Sequence, residues 1–225
     1  MKKIWLSWSS GKDSAWALHV LRQQGEYDIT GLITTINSAF DRVAMHGTRR
    51  ELVEMQAEAA GVPLIKVPLP WPCSNVDYEC AMKKVCDQAL AESVSGIAFG
   101  DLFLADIRVY REQQLKGTGL EPLFPIWQIP TDKLARQMIA AGLRARLVCV
   151  NPKQLDAKFA GREFDLQLLS ELPPGVDPCG ENGEFHSFVY GGPMFRRELP
   201  VATGERVERD GFCYCDLLTA ATVSS

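Results

Sequence analysis

Short apolar runs alternate with helix-length amphipathic segments up to residue 128, and that rhythm constrains this chain more than any other feature. The spacing predicts strands at Ile4–Trp8, Ile29–Ile36, Leu64–Val67 and Ile97–Phe99. Helices are expected at Asp13–Gln24, Thr48–Ala60, Val76–Glu92 and Leu104–Leu115. Gly25 and Gly61 close the first two, because glycine readily adopts the left-handed conformation that ends a helix. Strands alternating with helices form βαβ units, and such strands line up as a parallel sheet with helices on both faces. Pro68, Pro70 and Pro72 punctuate one loop, and Pro122 and Pro125 mark the exit from the alternating region.

A second pattern begins near Trp127. Asp132–Ala141 reads as a helix ended by Gly142, and Ala145–Val150 as a strand. A Pro/Gly-rich loop from Pro173 to Gly180 then precedes strand-like stretches at Phe185–Tyr190 and Arg206–Tyr214. The expectation is an α/β protein: a Rossmann-like parallel sheet over 1–128, then a smaller C-terminal α/β domain over 129–225. Composition permits this, since 46% of the 225 residues are hydrophobic and 23% charged, ordinary usage for a chain that buries a full core without disulfides. Disorder, collagen and coiled coil are excluded.

The net charge is −4, with 13 basic and 15 acidic residues up to 128 and 11 and 13 after it. No basic half or polybasic run offers a surface to a nucleic-acid backbone, so nucleic acid is not expected as a partner. A membrane is not expected either, because no apolar run approaches the ~18–20 residues of a spanning helix. The signal-like opening Met1-Lys2-Lys3-Ile4-Trp5-Leu6 gives way too soon to polar Ser9-Ser10-Gly11-Lys12-Asp13. Seven cysteines, an odd set with no C-x-x-C pair, suggest neither a disulfide scaffold nor a zinc ribbon. The chain reads as cytoplasmic.

The most informative segment runs from the first strand through Ser9-Ser10-Gly11-Lys12-Asp13-Ser14 into the first helix. A helix start presents unpaired N–H groups and the positive end of a dipole, which suits a phosphate. Ser9, Ser10 and Ser14 add hydroxyls, Gly11 permits close backbone approach, and Lys12 adds a point charge. Asp13 makes sense among phosphate ligands if it helps hold a Mg²⁺ that the phosphates share. A Walker A loop does not fit, because Leu6 stands where its first glycine belongs and Asp13 follows the lysine. The plainer alternative is a helix N-cap, since Ser, Asp and Gly are all common there.

Ser-Ser-Gly-Lys-Asp-Ser resembles the pyrophosphate loop of the N-type ATP pyrophosphatases, usually Ser-Gly-Gly-x-Asp-Ser, with Ser10 replacing the middle glycine. Further segments are Gly100-Asp101-Leu102, then Arg108 and Tyr110-Arg111-Glu112, Pro122-Leu123-Phe124-Pro125-Ile126-Trp127, Met138-Ile139-Ala140-Ala141-Gly142, and Asp177-Pro178-Cys179-Gly180-Glu181-Asn182-Gly183-Glu184-Phe185-His186-Ser187-Phe188. Together, over residues 3 to 195, they resemble the diphthine–ammonia ligase-like ATP-binding family. The resemblance implies an adenine-nucleotide α-hydrolase-like domain and a smaller domain carrying a Gly-Glu-x-Gly-Glu motif. It also implies an amide-forming ligase using ATP and Mg²⁺: a carboxylate, on a small molecule or a protein side chain, becomes an acyl-adenylate with loss of pyrophosphate. Ammonia or an amine then displaces AMP. Self-association into a homo-oligomer is compatible with this. The family motif usually reads Glu-Gly-Gly-Glu-Phe/Tyr-Glu-Thr, so His186 replaces its third acid, and Met45-His46-Gly47 departs as well. These variants resemble a bacterial-type branch whose acyl substrate is open.

The resemblance assigns nucleotide contacts to Ser9–Ser14, Gly100 and Asp101, and catalysis to Asp13, Glu181 and Glu184; His186, a departure from the motif, is a further catalytic candidate because it adjoins these acids. Glu184 is the expected group to orient or deprotonate the amine, supported by Glu181, with its carboxylate opening into the same cavity as Asp13 and Gly100–Asp101. A solvated turn is the ordinary alternative for two acids among glycines. His186 could be a general base near neutral pH or a simple hydrogen-bonder. His46, Arg49 and Arg108 are the expected substrate-binding residues, although Arg108 and Glu112 could equally form an i,i+4 ion pair. Cys179 is the one credible sulfur carrier, with a buried, inert thiol the ordinary reading. Two rival functions remain open: a non-catalytic adenine-nucleotide sensor, and ATP-dependent sulfur transfer to RNA.

Overall fold

The side chains of the first strand alternate, and each set lies under its own layer of helices. In the computed structural model, which describes residues 1–43 and 46–219, strand β1 is Lys2–Ser7; Met45 lies outside the described residues. Ile4 and Leu6 join one buried cluster and Trp5 another, as the two-residue period of a strand requires. Helix α1 (Lys12–Gln24) covers the first face with Ala15, Leu18 and Leu21. The chain continues through β2 (Tyr27–Asn37), β3 (Arg42–Val43), α2 (Arg50–Ala60) and β4 (Leu64–Leu69). It then forms α3 (Asn75–Ala91), β5 (Gly96–Ala98), α4 (Ala105–Leu115) and β6 (Glu121–Leu123). Val85, Cys86 and Ala89 of α3 and Leu115 of α4 cover the Trp5 face.

β1 pairs in parallel with β2 and β5, β2 with β4, and β5 with β6. The chain therefore moves outward from β1 to β2 and β4, then returns across β1 to β5 and β6. That reversal leaves a crevice at the carboxyl ends of β1 and β5, where open α/β sheets bind ligands. The Rossmann-like expectation holds. Gly25 and Gly61 take left-handed conformations at the ends of α1 and α2. α2 begins at Arg50 rather than Thr48, whose hydroxyl is instead 3.0 Å from that of Ser10. β6 is an edge strand that tolerates Pro122.

The C-terminal part contains α5 (Thr131–Ala140), β7 (Arg144–Val150), a 3-10 turn at Ala157–Phe159 and α6 (Leu166–Glu171). β8 (Phe185–Gly191), β9 (Val201–Arg209) and β10 (Phe212–Thr219) follow. Its sheet has the order β8-β7-β10-β9 and is antiparallel throughout. The expected single stretch Arg206–Tyr214 is a hairpin, turning at Asp210 and Gly211 with φ of 53° and 80°. One buried cluster runs from Ile4, Leu18 and Val53 through Leu134 and Met138 to Phe185 and Cys213, so both sheets share a core. No helix among the described residues is long and apolar enough to cross a membrane.

Candidate active site

The turn between β1 and α1 is held by the second sheet. Ser10 sits at φ 72°, a region that favours glycine. Its carbonyl accepts from Gln56 Nε2 and Val189 N, both at 3.0 Å, and its hydroxyl meets Thr48. Gln56 is fully buried and bridges further, donating to the Val189 carbonyl and accepting from Trp8 Nε1. A Cβ on Gly11 would come within 2.9 Å of His46 Cε1 and 3.2 Å of the Ser187 carbonyl, so only glycine leaves room there. Lys12 N donates to Ser187 Oγ at 3.2 Å. The Ser9 and Ser14 hydroxyls lie 3.2 Å apart beside the loop.

Lys12 is buried, with its ammonium donating to Asp13 Oδ2 at 2.9 Å and to the Cys179 carbonyl. The rings of Phe164 and Phe185 lie 5.9 and 5.5 Å from its Nζ. Asp13 Oδ1 is shut off from solvent and has no hydrogen-bond partner among the described residues. Burial raises the Asp13 pKa against the pull of Lys12, so this carboxylate is under-compensated as it stands.

A cavity of about 700 Å³ opens over the loop. Ser9, Asp13 and Ser14 form its floor, Gly100 and Asp101 one side, and Cys179–Glu181, Gly183 and Phe185–Ser187 the facing side. Gly100 is needed for closeness, since a Cβ there would meet the Asp13 backbone at 2.9 Å. Glu181 reaches in from the facing side, and its Oε1 accepts from Leu102 N at 3.1 Å. Burial, reinforced by the charge of Asp13, pushes its pKa up to about 7. The rings of His46 and His186 pack against each other at the cavity wall, with centroids 4.6 Å apart and planes tilted by 37°. Burial lowers the His186 pKa to about 4, with Lys12 contributing, and puts that of His46 well below its ordinary value, with His186 contributing. Both imidazoles are therefore neutral at pH 7.

The sequence comparisons meet this geometry in two adjacent spans. Residues 1–121 match the model of the diphthamide synthase N-terminal domain and residues 130–223 that of the diphthamide synthase C-terminal domain. The chain belongs to the diphthamide synthase family. It is 34% identical over 122 residues to the diphthine–ammonia ligase of Rattus norvegicus, covering 52% of this chain and 45% of the relative. With that of Danio rerio it shares 28% over 176 residues, 70% and 68% of the two chains. With that of Schizosaccharomyces pombe it shares 25% over 188 residues, 77% and 31%. The chain spans about half the length of the first of these relatives.

Against this family frame, three expected site residues lie elsewhere. Glu184 does not open into the cavity: it is 2% exposed, and Asp177 N, Asn182 N and Asn182 Nδ2 all donate to its carboxylate, at 2.9, 2.9 and 3.2 Å. The left-handed glycines 180 and 183 fold the turn back on itself and point this acid inward. Arg49 is drawn off by Asp216 of β10, with Nη2 at 2.6 Å from Oδ2. Arg108 makes the i,i+4 pair with Glu112 at 2.8 Å and lies over Phe124 and Trp127, at 4.7 and 4.9 Å from their centroids.

Other residues take their places. Arg111, one turn beyond Arg108, lines the cavity and lies 3.5 Å from Asp101. Asp177 accepts from Cys179 N, Glu181 N and Thr131 Oγ1, and so shapes the loop that carries Glu181. The turn signal Asp-Pro-Cys-Gly could have identified Asp177 as an Asx-type organiser; nothing local distinguishes Arg111 from Arg108. Cys179 is buried, and burial pushes its thiol pKa up, which leaves it protonated.

Proposed function

We propose that this chain is an ATP-dependent amide-forming ligase, which activates a carboxylate as an acyl-adenylate, releases pyrophosphate, and passes the acyl group to ammonia or an amine. One observation carries the reading: the Ser9–Ser14 loop and Glu181 face each other across a single cavity at the strand-order reversal. On this reading residues 1–128 are the nucleotide half and 129–225 the half that closes the site. ATP would supply the leaving pyrophosphate, and a Mg²⁺ held with the help of Asp13 would neutralise the charge that develops on it.

The residues fit that cargo. Asp13 Oδ1 is an acceptor with nothing to accept, and no group of three or more His, Cys, Asp or Glu among the described residues could hold a metal unaided. A Mg²⁺ shared between one carboxylate and phosphate oxygens meets both facts. Ser9, Ser14 and the start of α1 would grip the phosphates, and Ile33 within β2 and Leu69 at the end of β4 would flank the base. Glu181, with a pKa near 7, is suited to take a proton from an amine. The neutral His46–His186 pair lines the same cavity and adds hydrogen-bonding capacity without charge.

The same pair is our reason for placing the chain in a bacterial-type branch, since His186 replaces an acid of the family motif and His46 packs on it. We read the protein as cytoplasmic, in keeping with free cysteines at all seven positions. The buried, protonated Cys179 argues against sulfur transfer, and Glu181 against a mere sensor. Purified protein given Mg-ATP, ammonium and a panel of carboxylic acids should yield AMP and pyrophosphate. Stoichiometric ADP and orthophosphate would rule the reading out.

A further inference from the structure

We infer that the acyl substrate is a carboxylic acid with an apolar body, which seats in a second cavity between α3 and α4 and places its carboxylate on Arg111. This rests on the ligase reading and names its substrate class. The second cavity measures about 410 Å³ and shares Tyr78, Met82, Ile97, Phe99 and Arg111 with the first. It lies where α4 covers the sheet thinly. α4 buries only Leu115 of its 11 residues, whereas a surface helix usually buries a broad apolar stripe; α3 lays such a stripe on the core, but its Tyr78 and Met82 are only partly buried. Cys86, Leu90, Tyr110 and Leu115 line the hollow together with polar Glu79, Gln114 and Lys116, and Lys83 and Asp87, also on its wall, pair with each other at 3.1 Å.

Charge selects the end of the ligand that faces the nucleotide. Among the described residues the lysines and arginines on the main cavity wall are Lys12 and Arg111. Lys12 is committed to Asp13 and the Cys179 carbonyl. Arg111 is held less closely: its Nε forms an ion pair with Asp101 Oδ2 at 3.5 Å, and neither of those two atoms makes a hydrogen bond among the described residues. A guanidinium with five donors, resting 5.0 Å over Phe99, is a receptor for a carboxylate. Ile33 and Leu69 lie at the β2 and β4 side of the floor and Arg111 at the β5 side. Acid and nucleotide would therefore enter from opposite sides and meet over the end of β1.

The test is calorimetric titration of the full chain, without nucleotide, with octanoate, 4-phenylbutanoate and octanol. The carboxylates should bind about tenfold more tightly than the alcohol, the worth of one charge-assisted pair. Arg111→Gln should bring octanoate to the level of octanol. Cys86→Phe, which fills the second cavity, should weaken both carboxylates about tenfold while Mg-ATP affinity stays within about twofold. Leu90→Glu at the half-exposed rim should do the same by repulsion if the Phe variant fails to fold. Equal affinity for octanoate and octanol would overturn the inference, as would unchanged octanoate binding in the filled variants. Loss of Mg-ATP binding in a folded Cys86→Phe protein would also overturn it, by placing the base there. Acid binding needs no turnover, so failure of the ligase reading would show separately, as binding without AMP.

Discussion

Two acids stand three residues apart in Glu181-Asn182-Gly183-Glu184, and their surroundings give them opposite tasks. Glu181 faces the cavity with its pKa raised from 4.5 to about 7, chiefly by burial. The folded protein thus holds that proton more tightly than the unfolded chain does. The associated stability is complete below pH ~4.5 and is lost as pH rises toward 7. His186, lowered from 6.5 to about 4, acts in the opposite sense, losing stability as pH falls from 6.5 toward 4, so the wild-type curve is a sum. A Glu181→Gln variant isolates the acid: its melting temperature should rise relative to wild type as pH goes from 5 to 7.5. A difference independent of pH would mean that Glu181 titrates normally. Ser10 offers a second comparison. Ser10→Ala and Ser10→Gly both lose the bond to Thr48, but only glycine relieves the left-handed φ, so the alanine variant should be less stable by about 1 kcal/mol in urea unfolding.

At the scale of elements, Glu184 is a fastener for the loop rather than a reagent. Its three accepted bonds hold Asp177 and Asn182, Asp177 in turn holds Cys179 and Glu181, and the Cys179 carbonyl receives Lys12. Glu184→Gln places an amide group against donors and should cost about 2 kcal/mol of stability, read from chemical unfolding; a variant as stable as wild type would contradict this role. Sequence reasoning found the loop and both acids but could not say which one faces the cavity, because the left-handed glycines 180 and 183 decide it. It located α1 and its Gly25 end because period and punctuation agree there. The β9–β10 hairpin was legible in the turn signal Asp210-Gly211 but was read as one stretch, Arg206–Tyr214. Arg108 and Arg111 differ only in which side of α4 they occupy, and packing sets that, not composition.

The whole molecule behaves as one body because the core is continuous between its sheets. Ile4 and Leu18 from one half and Phe185 and Cys213 from the other belong to a single buried cluster, and Gln56 ties the phosphate loop to β8. Thermal unfolding followed by far-ultraviolet circular dichroism and by tryptophan fluorescence should therefore give one coincident transition; two separated transitions would mean that the halves are only loosely joined. The site depends on that union, since its floor comes from one half and Glu181 from the other. The central claim is that Asp13, which lines the cavity and whose Oδ1 has no hydrogen-bond partner among the described residues, helps hold the metal of Mg-ATP. Its most direct test is calorimetry of ATP, with and without Mg²⁺, on wild type and Asp13→Asn. Wild type should bind ATP in a Mg²⁺-dependent way, and the variant should bind at least about tenfold more weakly, beyond the ~1 kcal/mol of a weakened helix start. Equal Mg-ATP affinity in the two proteins, both folded, would contradict it.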